Sequence, residues 1–118
     1  MKYKIEIKNE TVKLNFVDGD FTYRCKLHLD KKYGEVELWD EANRGYKLTI
    51  YRHINDMIFC VMDTADGDRY NERASYWHSY GNLFDADSFS LEEKVKETID
   101  VLKQVCQDQY ELFTSKLT

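Results

Sequence analysis

The side chains in this chain that could do chemistry are few and scattered. Three histidines, His28, His53 and His78, stand about 25 residues apart. A metal site or proton relay needs such groups to converge. His28 and His53 could meet on adjacent strands, but spacing alone does not show convergence, and surface histidines are the expectation from their type. The acidic run DTADGD, Asp63 to Asp68, looks like a calcium loop. An EF-hand, however, takes oxygen ligands from alternate positions before its glycine and a Glu from the twelfth, whereas Asp63 and Asp66 are three apart and helical flanks are missing. Turn chemistry explains the run. Cys25 and His28 form the tempting nucleophile and base, but on a strand an odd separation sends the two side chains to opposite faces. No G-x-S-x-G, Walker loop, dinucleotide fingerprint or H-E-x-x-H occurs. The expectation is a protein that is not an enzyme and folds without a metal or cofactor.

The densest group of recognition residues is RYNERASYWHSY, which supplies Arg69, Tyr70, Arg73, Tyr76, Trp77, His78 and Tyr80. Trp, Tyr and Arg dominate binding hot spots because they bury a large area while keeping a polar handle. Strict alternation puts Tyr70, Glu72, Ala74, Tyr76 and His78 on one face and Asn71, Arg73, Ser75, Trp77 and Ser79 on the other. Neither face is cleanly apolar, as expected of an edge strand or ordered loop. The competing reading puts Trp77, Tyr80, Leu83 and Phe84 into the core ahead of a helix. Leu83 and Phe84 enter the core on both readings, and the exposure of Trp77 separates them.

Strands must position these residues. KYKIEIK, TVKLNFV and FTYRCKLHL place Tyr3, Ile5 and Ile7, then Val12, Leu14 and Phe16, then Phe21, Tyr23, Cys25, Leu27 and Leu29 on one face at a period of two. EVELW and YKLTIYRHI continue the pattern with Val36, Leu38, Tyr46, Leu48 and Ile50 inward. Asn55 and Asp56 then turn the chain into MIFCVMD, whose unbroken apolar character predicts a central strand covered on both faces. A final strand is expected from about Arg69 to Trp77. The five glycines read as turn punctuation between strands, with Asp-Gly the strongest hairpin signal.

The period changes at Ser90, where SLEE reads as a capping box between Ser90 and Glu93. Leu91, Val95, Ile99, Leu102, Val105, Cys106, Leu112 and Phe113 then form one helical stripe. Strands over about 2–77 followed by a helix over about 91–114 predict a single α+β domain, a meandering antiparallel sheet of six to seven short strands packed on one long C-terminal helix.

With 118 residues, 42% hydrophobic, one core is the natural size. The longest apolar run is Met57 to Met62, and the N-terminus alternates charge with apolar residues, so neither a membrane span nor a signal peptide is expected. Cys25, Cys60 and Cys106 are odd in number and widely spaced, consistent with buried, reduced thiols in a cytoplasmic protein. The formal charge of −5 divides unevenly: +2 up to His53 and −7 from Ile54 onward. Such a dipole steers toward a basic partner and repels phosphate backbones. Lys2, Lys4, Lys8, Lys13, Arg24 and Lys26 offer a basic stripe, but the net acidity argues against direct nucleic-acid binding.

In size and composition the chain resembles phage-encoded inhibitors of bacterial defence, anti-CRISPR proteins among them, and the immunity proteins that block toxins. The resemblance implies a protein-binding inhibitor or adaptor that occupies a partner's functional surface, the partner being a basic, nucleic-acid-handling protein. Two alternatives stand beside it. One is a small-ligand or nucleotide-binding domain, or an enzyme, with a pocket between sheet and helix. The other is a structural domain that self-associates as a homodimer through an edge strand.

Overall fold

The computed structural model describes residues 2–52, 57–64, 76–78 and 81–115. Within them the alternating segments become strands β1 (Tyr3–Lys8), β2 (Thr11–Asp18), β3 (Phe21–His28), β4 (Tyr33–Trp39), β5 (Gly45–Arg52), β6 (Ile58–Thr64) and β7 (Tyr76–His78). Each pairs antiparallel with the next, so spatial order equals chain order. Two short 3-10 turns, Gly81–Phe84 and Ala86–Phe89, lead into helix α1 (Glu92–Ser115). The result is the expected α+β meander, and its radius of gyration of 13.5 Å is that of one compact domain of this length.

One face of the sheet is dry. Val12, Leu14, Tyr23, Leu27, Val36, Leu38, Leu48 and Ile50 are wholly buried on it, and α1 covers them with Ile99, Leu102, Val105, Cys106 and Phe113. Aromatic rings lock the two layers. Tyr46 meets Tyr110 and Phe113 edge-on at 5.1 and 5.8 Å, Phe21 meets Tyr110 at 5.4 Å, and Gln107 Nε2 donates to Tyr23 Oη at 2.7 Å. Leu83 and Phe84 join the same core, as their sequence position predicts.

The start of the helix departs from the expected capping box. Ser90 Oγ donates to the Asp87 carbonyl at 2.9 Å, closing the preceding 3-10 turn, and the first bond of α1 runs from the Val95 N–H to the Leu91 carbonyl. Ser90 therefore ends one turn instead of starting the next helix. Leu91, one residue before α1, is 60% exposed, not part of the stripe. Thr98 and Gln109 occupy the stripe in its place, because a period of 3.6 from Val95 points those positions at the sheet whatever their polarity.

The glycines also divide differently. Gly34 and Gly45 lie inside β4 and β5, and the left-handed backbone of the hairpin turns falls on Asn9, Glu10, Lys32 and Asn43 as well as Gly19. Gly34 is needed for close approach: a Cβ there would collide with the Leu27 side chain and press the Lys26 carbonyl oxygen. Strand β6 is paired on both sides, but the cover on its outward face is partial, with Phe59 and Val61 half-buried while Ile58, Cys60 and Met62 are fully buried. The part of the expected last strand from Arg69 to Ser75, with the Asn55–Asp56 turn, lies outside the described residues.

All three cysteines are buried free thiols, and burial pushes Cys60 up to about 12 and raises Cys25 and Cys106 as well. Both amide atoms of Gln109 are buried without a hydrogen-bond partner among the described residues. An orphaned amide costs about 1–3 kcal/mol. Gln109→Met, which keeps the volume and removes the amide, is expected to raise unfolding free energy by about 1 kcal/mol or more in urea titration. A loss of stability would show that the amide is satisfied in the folded protein.

Candidate functional site

The face of the sheet turned away from α1 carries rows of side chains fixed by the strand register. One row runs Lys8, Thr11, His28, Tyr33, Tyr51 and Phe59, each residue paired with the next across adjacent strands, and the backbone register continues from Phe59 to Trp77 of β7. The His28 and Tyr33 rings stack at 6.0 Å and 20°, and Tyr33 meets Tyr51 at 5.3 Å. Opposed residues on neighbouring strands place their Cβ atoms about 5 Å apart, so a row of rings becomes a continuous aromatic ledge. Tyr51 is 39% exposed, and Tyr33, His28 and Phe59 are half-buried.

The next two rows are ionic. The first runs Glu6, Lys13, Lys26, Glu35 and Thr49; the second runs Lys4, Asn15, Arg24, Glu37 and Lys47. Lys13 and Lys26 are therefore direct cross-strand partners. Over β1–β3 this face presents five cations, Lys4, Lys8, Lys13, Arg24 and Lys26, against one carboxylate, Glu6, and all six are exposed. None of those cations is ion-paired among the described residues, although the Arg24 guanidinium lies 6.0 Å from the centre of the Trp39 ring. The acids of β4 are engaged locally. Tyr33 Oη donates to Glu35 at 2.6 Å, Lys47 Nζ sits 3.2 Å from the same carboxylate, and Trp39 Nε1 donates to Glu37 at 3.2 Å.

The opposite layer is acidic. On the outward side of α1, Glu93, Glu97, Asp100 and Glu111 are all exposed, their spacing following the helical period. Residues 81–115 carry eight carboxylates, Asp85, Asp87, Glu92, Glu93, Glu97, Asp100, Asp108 and Glu111, and three lysines, 94, 96 and 103, a net −5. Among the described residues the acidic excess thus lies on the helix layer, opposite the basic β1–β3 face.

Of the sequence-based site residues, Arg69, Tyr70, Arg73 and Tyr80 lie outside the described residues, as do His53 and most of DTADGD. Tyr76, Trp77 and His78 form β7, in register with Cys60, Phe59 and Ile58. Cys25 is buried and His28 lies on the outward face, so the two do not meet. Among the described residues no group of three His, Cys, Asp or Glu side chains is placed to hold a metal. A cleft of about 490 Å³ opens beyond the ends of the strands, where Glu10, Asp30, Asp85 and Asp87 face Lys32 across Leu29 and Phe84. Among the described residues no helix is long and apolar enough to cross a membrane.

Sequence reasoning missed the aromatic ledge; it named the cations as a basic stripe but not the order in which they face one another. Tyr33 and Tyr51 occupy the outward phase of their strands, which alternation shows, but only register brings them together with His28 and aligns Lys13 with Lys26. Hydrogen bonding couples two members of the site. The bond from Tyr33 lowers the Glu35 carboxyl, with Lys47 assisting, and the same bond, with burial, pushes the Tyr33 phenol up to about 12. A raised phenol stabilises the fold below its ordinary value of 10, and that contribution is lost as pH climbs through about 12. A depressed carboxylate stabilises above its ordinary value of 4.5 and loses that contribution as pH falls through the lower folded value. In Tyr33→Phe, NMR titration should find Glu35 moved up toward its ordinary value; an unmoved Glu35 would show that the bond does not persist in solution. No family model, curated protein or solved structure matches this chain.

Proposed function

We propose that this protein acts by binding, as an inhibitor or adaptor that occupies a functional surface of a partner protein, in the manner of phage anti-defence and immunity proteins. The observation that supports this reading is the separation of charge between the layers, with the acidic outward stripe of α1 set against a basic opposite face. A surface of one sign accelerates association with a partner of the other sign, and like-charged competitors are repelled. The partner that fits the acidic layer is a protein with a basic surface, such as a nucleic-acid-handling enzyme. Trp77, in register with Phe59 in the last strand, remains the leading aromatic anchor, with Arg73, Tyr76 and Tyr80 beside it in the chain.

Quantitative capture from a lysate of the source cells tests both parts. A Glu93→Lys/Glu97→Lys/Asp100→Lys variant should lose most of its partner and its sensitivity to salt, and a Trp77→Ala/Tyr80→Ala variant should retain salt sensitivity while losing affinity. Capture of the same partner in equal amounts by wild type and both folded variants would remove the reading.

A further inference from the structure

We propose that the outward face of the sheet, opposite the acidic helix layer, is a binding surface for single-stranded nucleic acid. This surface is separate from the protein-docking layer discussed above and does not depend on it. Three observations converge on it.

The first is an unbalanced positive field. Lys4, Lys8, Lys13, Arg24 and Lys26 project from three adjacent strands with only Glu6 among them, and none is ion-paired among the described residues. The second is a like-charged contact at its centre. Lys13 and Lys26 face each other directly in the β2–β3 ladder, each with a carboxylate, Glu6 or Glu35, as its other cross-strand neighbour. An anion bound between the two lysines turns their repulsion into attraction. The third is the neighbouring ledge of His28, Tyr33 and Tyr51, with His28 stacked on Tyr33 and Tyr51 tilted against it across three strands beside those cations. Rings offer faces for stacking to any base, and adjacent cations follow the phosphates, which is how sequence-tolerant single-strand binders divide the work. A depression of about 290 Å³ joins the two parts, lined by Lys8, Lys13, Lys26 and His28 together with Glu6. A second, of about 180 Å³, lies between Lys13, Arg24 and Lys26 and the acids Glu35 and Glu37.

An acidic protein segment would use the cations but has no need of an aromatic ledge, and duplex nucleic acid keeps its bases stacked inside, away from those rings. The net acidity of the chain does not oppose binding here. Residues 81–115 carry a net −5 whereas residues 1–52 carry a net +2, and at physiological salt charges beyond about 8 Å are largely screened.

The experiment is fluorescence anisotropy of the full chain with a labelled single strand of about 10 nucleotides, at about 50 mM and about 200 mM salt. Neutralising about four phosphates should weaken binding about fiftyfold between these conditions. Lys13→Gln/Lys26→Gln should weaken it at least tenfold at low salt. Tyr51→Ala should weaken it about 5- to 150-fold, the loss expected of one stacked base. If that variant melts early, quenching of wild-type tyrosine fluorescence by the bound strand reports the stacking instead. Absence of binding at low salt, equal affinity of the lysine variant, equal affinity for a duplex of the same length, or full displacement by an equal concentration of an acidic peptide would each overturn the proposal.

Discussion

Everything in this fold depends on one apolar stripe of one helix covering one face of one sheet. Ile99, Leu102, Val105, Cys106 and Phe113 are wholly or almost wholly buried against strands whose inward residues are equally dry. Because side chains alternate along a strand, that single contact fixes the address of every other side chain in the sheet. A slip of one residue in any of β1–β5 would turn a lysine or glutamate toward the core. The helix thereby also specifies the opposite face, which it never touches.

The outward face follows from this constraint. Register alone brings residues from β1 to β6 into rows, and the rows sort by chemistry: rings in one, cations and engaged carboxylates in the next two. Of the β4 carboxylates, Glu35 is ion-paired with Lys47 and accepts from Tyr33, and Glu37 accepts from Trp39, while β1–β3 carry five cations and one carboxylate on this face. The helix, free to be polar on its other side, carries the acids. Opposite charges on opposite layers of one small domain give two surfaces able to meet different partners, which is the property an adaptor needs.

Much of this architecture is legible in the sequence, and the exceptions have physical causes. Alternation places Leu14, Tyr23 and Leu48 inside, and helical periodicity places Val95, Ile99 and Phe113 against them, because burial there is dictated by period and polarity together. Gln109 and Leu91 break the correspondence: geometry buries the amide, and the turn closed by Ser90 leaves the leucine outside. Gly34 reads as a turn residue by type but serves close packing against Leu27, a contact between strands that no local pattern reports. The candidate site was the least legible part for the same reason. His28, Tyr33 and Tyr51 are spread over 24 residues of chain and meet only through two ladders of cross-strand pairing.

The claim at the centre of this account is that the outward face of the sheet is a recognition surface, and NMR mapping of bound ligand tests it most directly. Titration of isotope-labelled protein with a short single strand should shift the ring resonances of Tyr33 and Tyr51 and the amides of β1–β3, while those of α1 stay in place. Shifts confined to α1, or an unchanged spectrum at low salt, would contradict it.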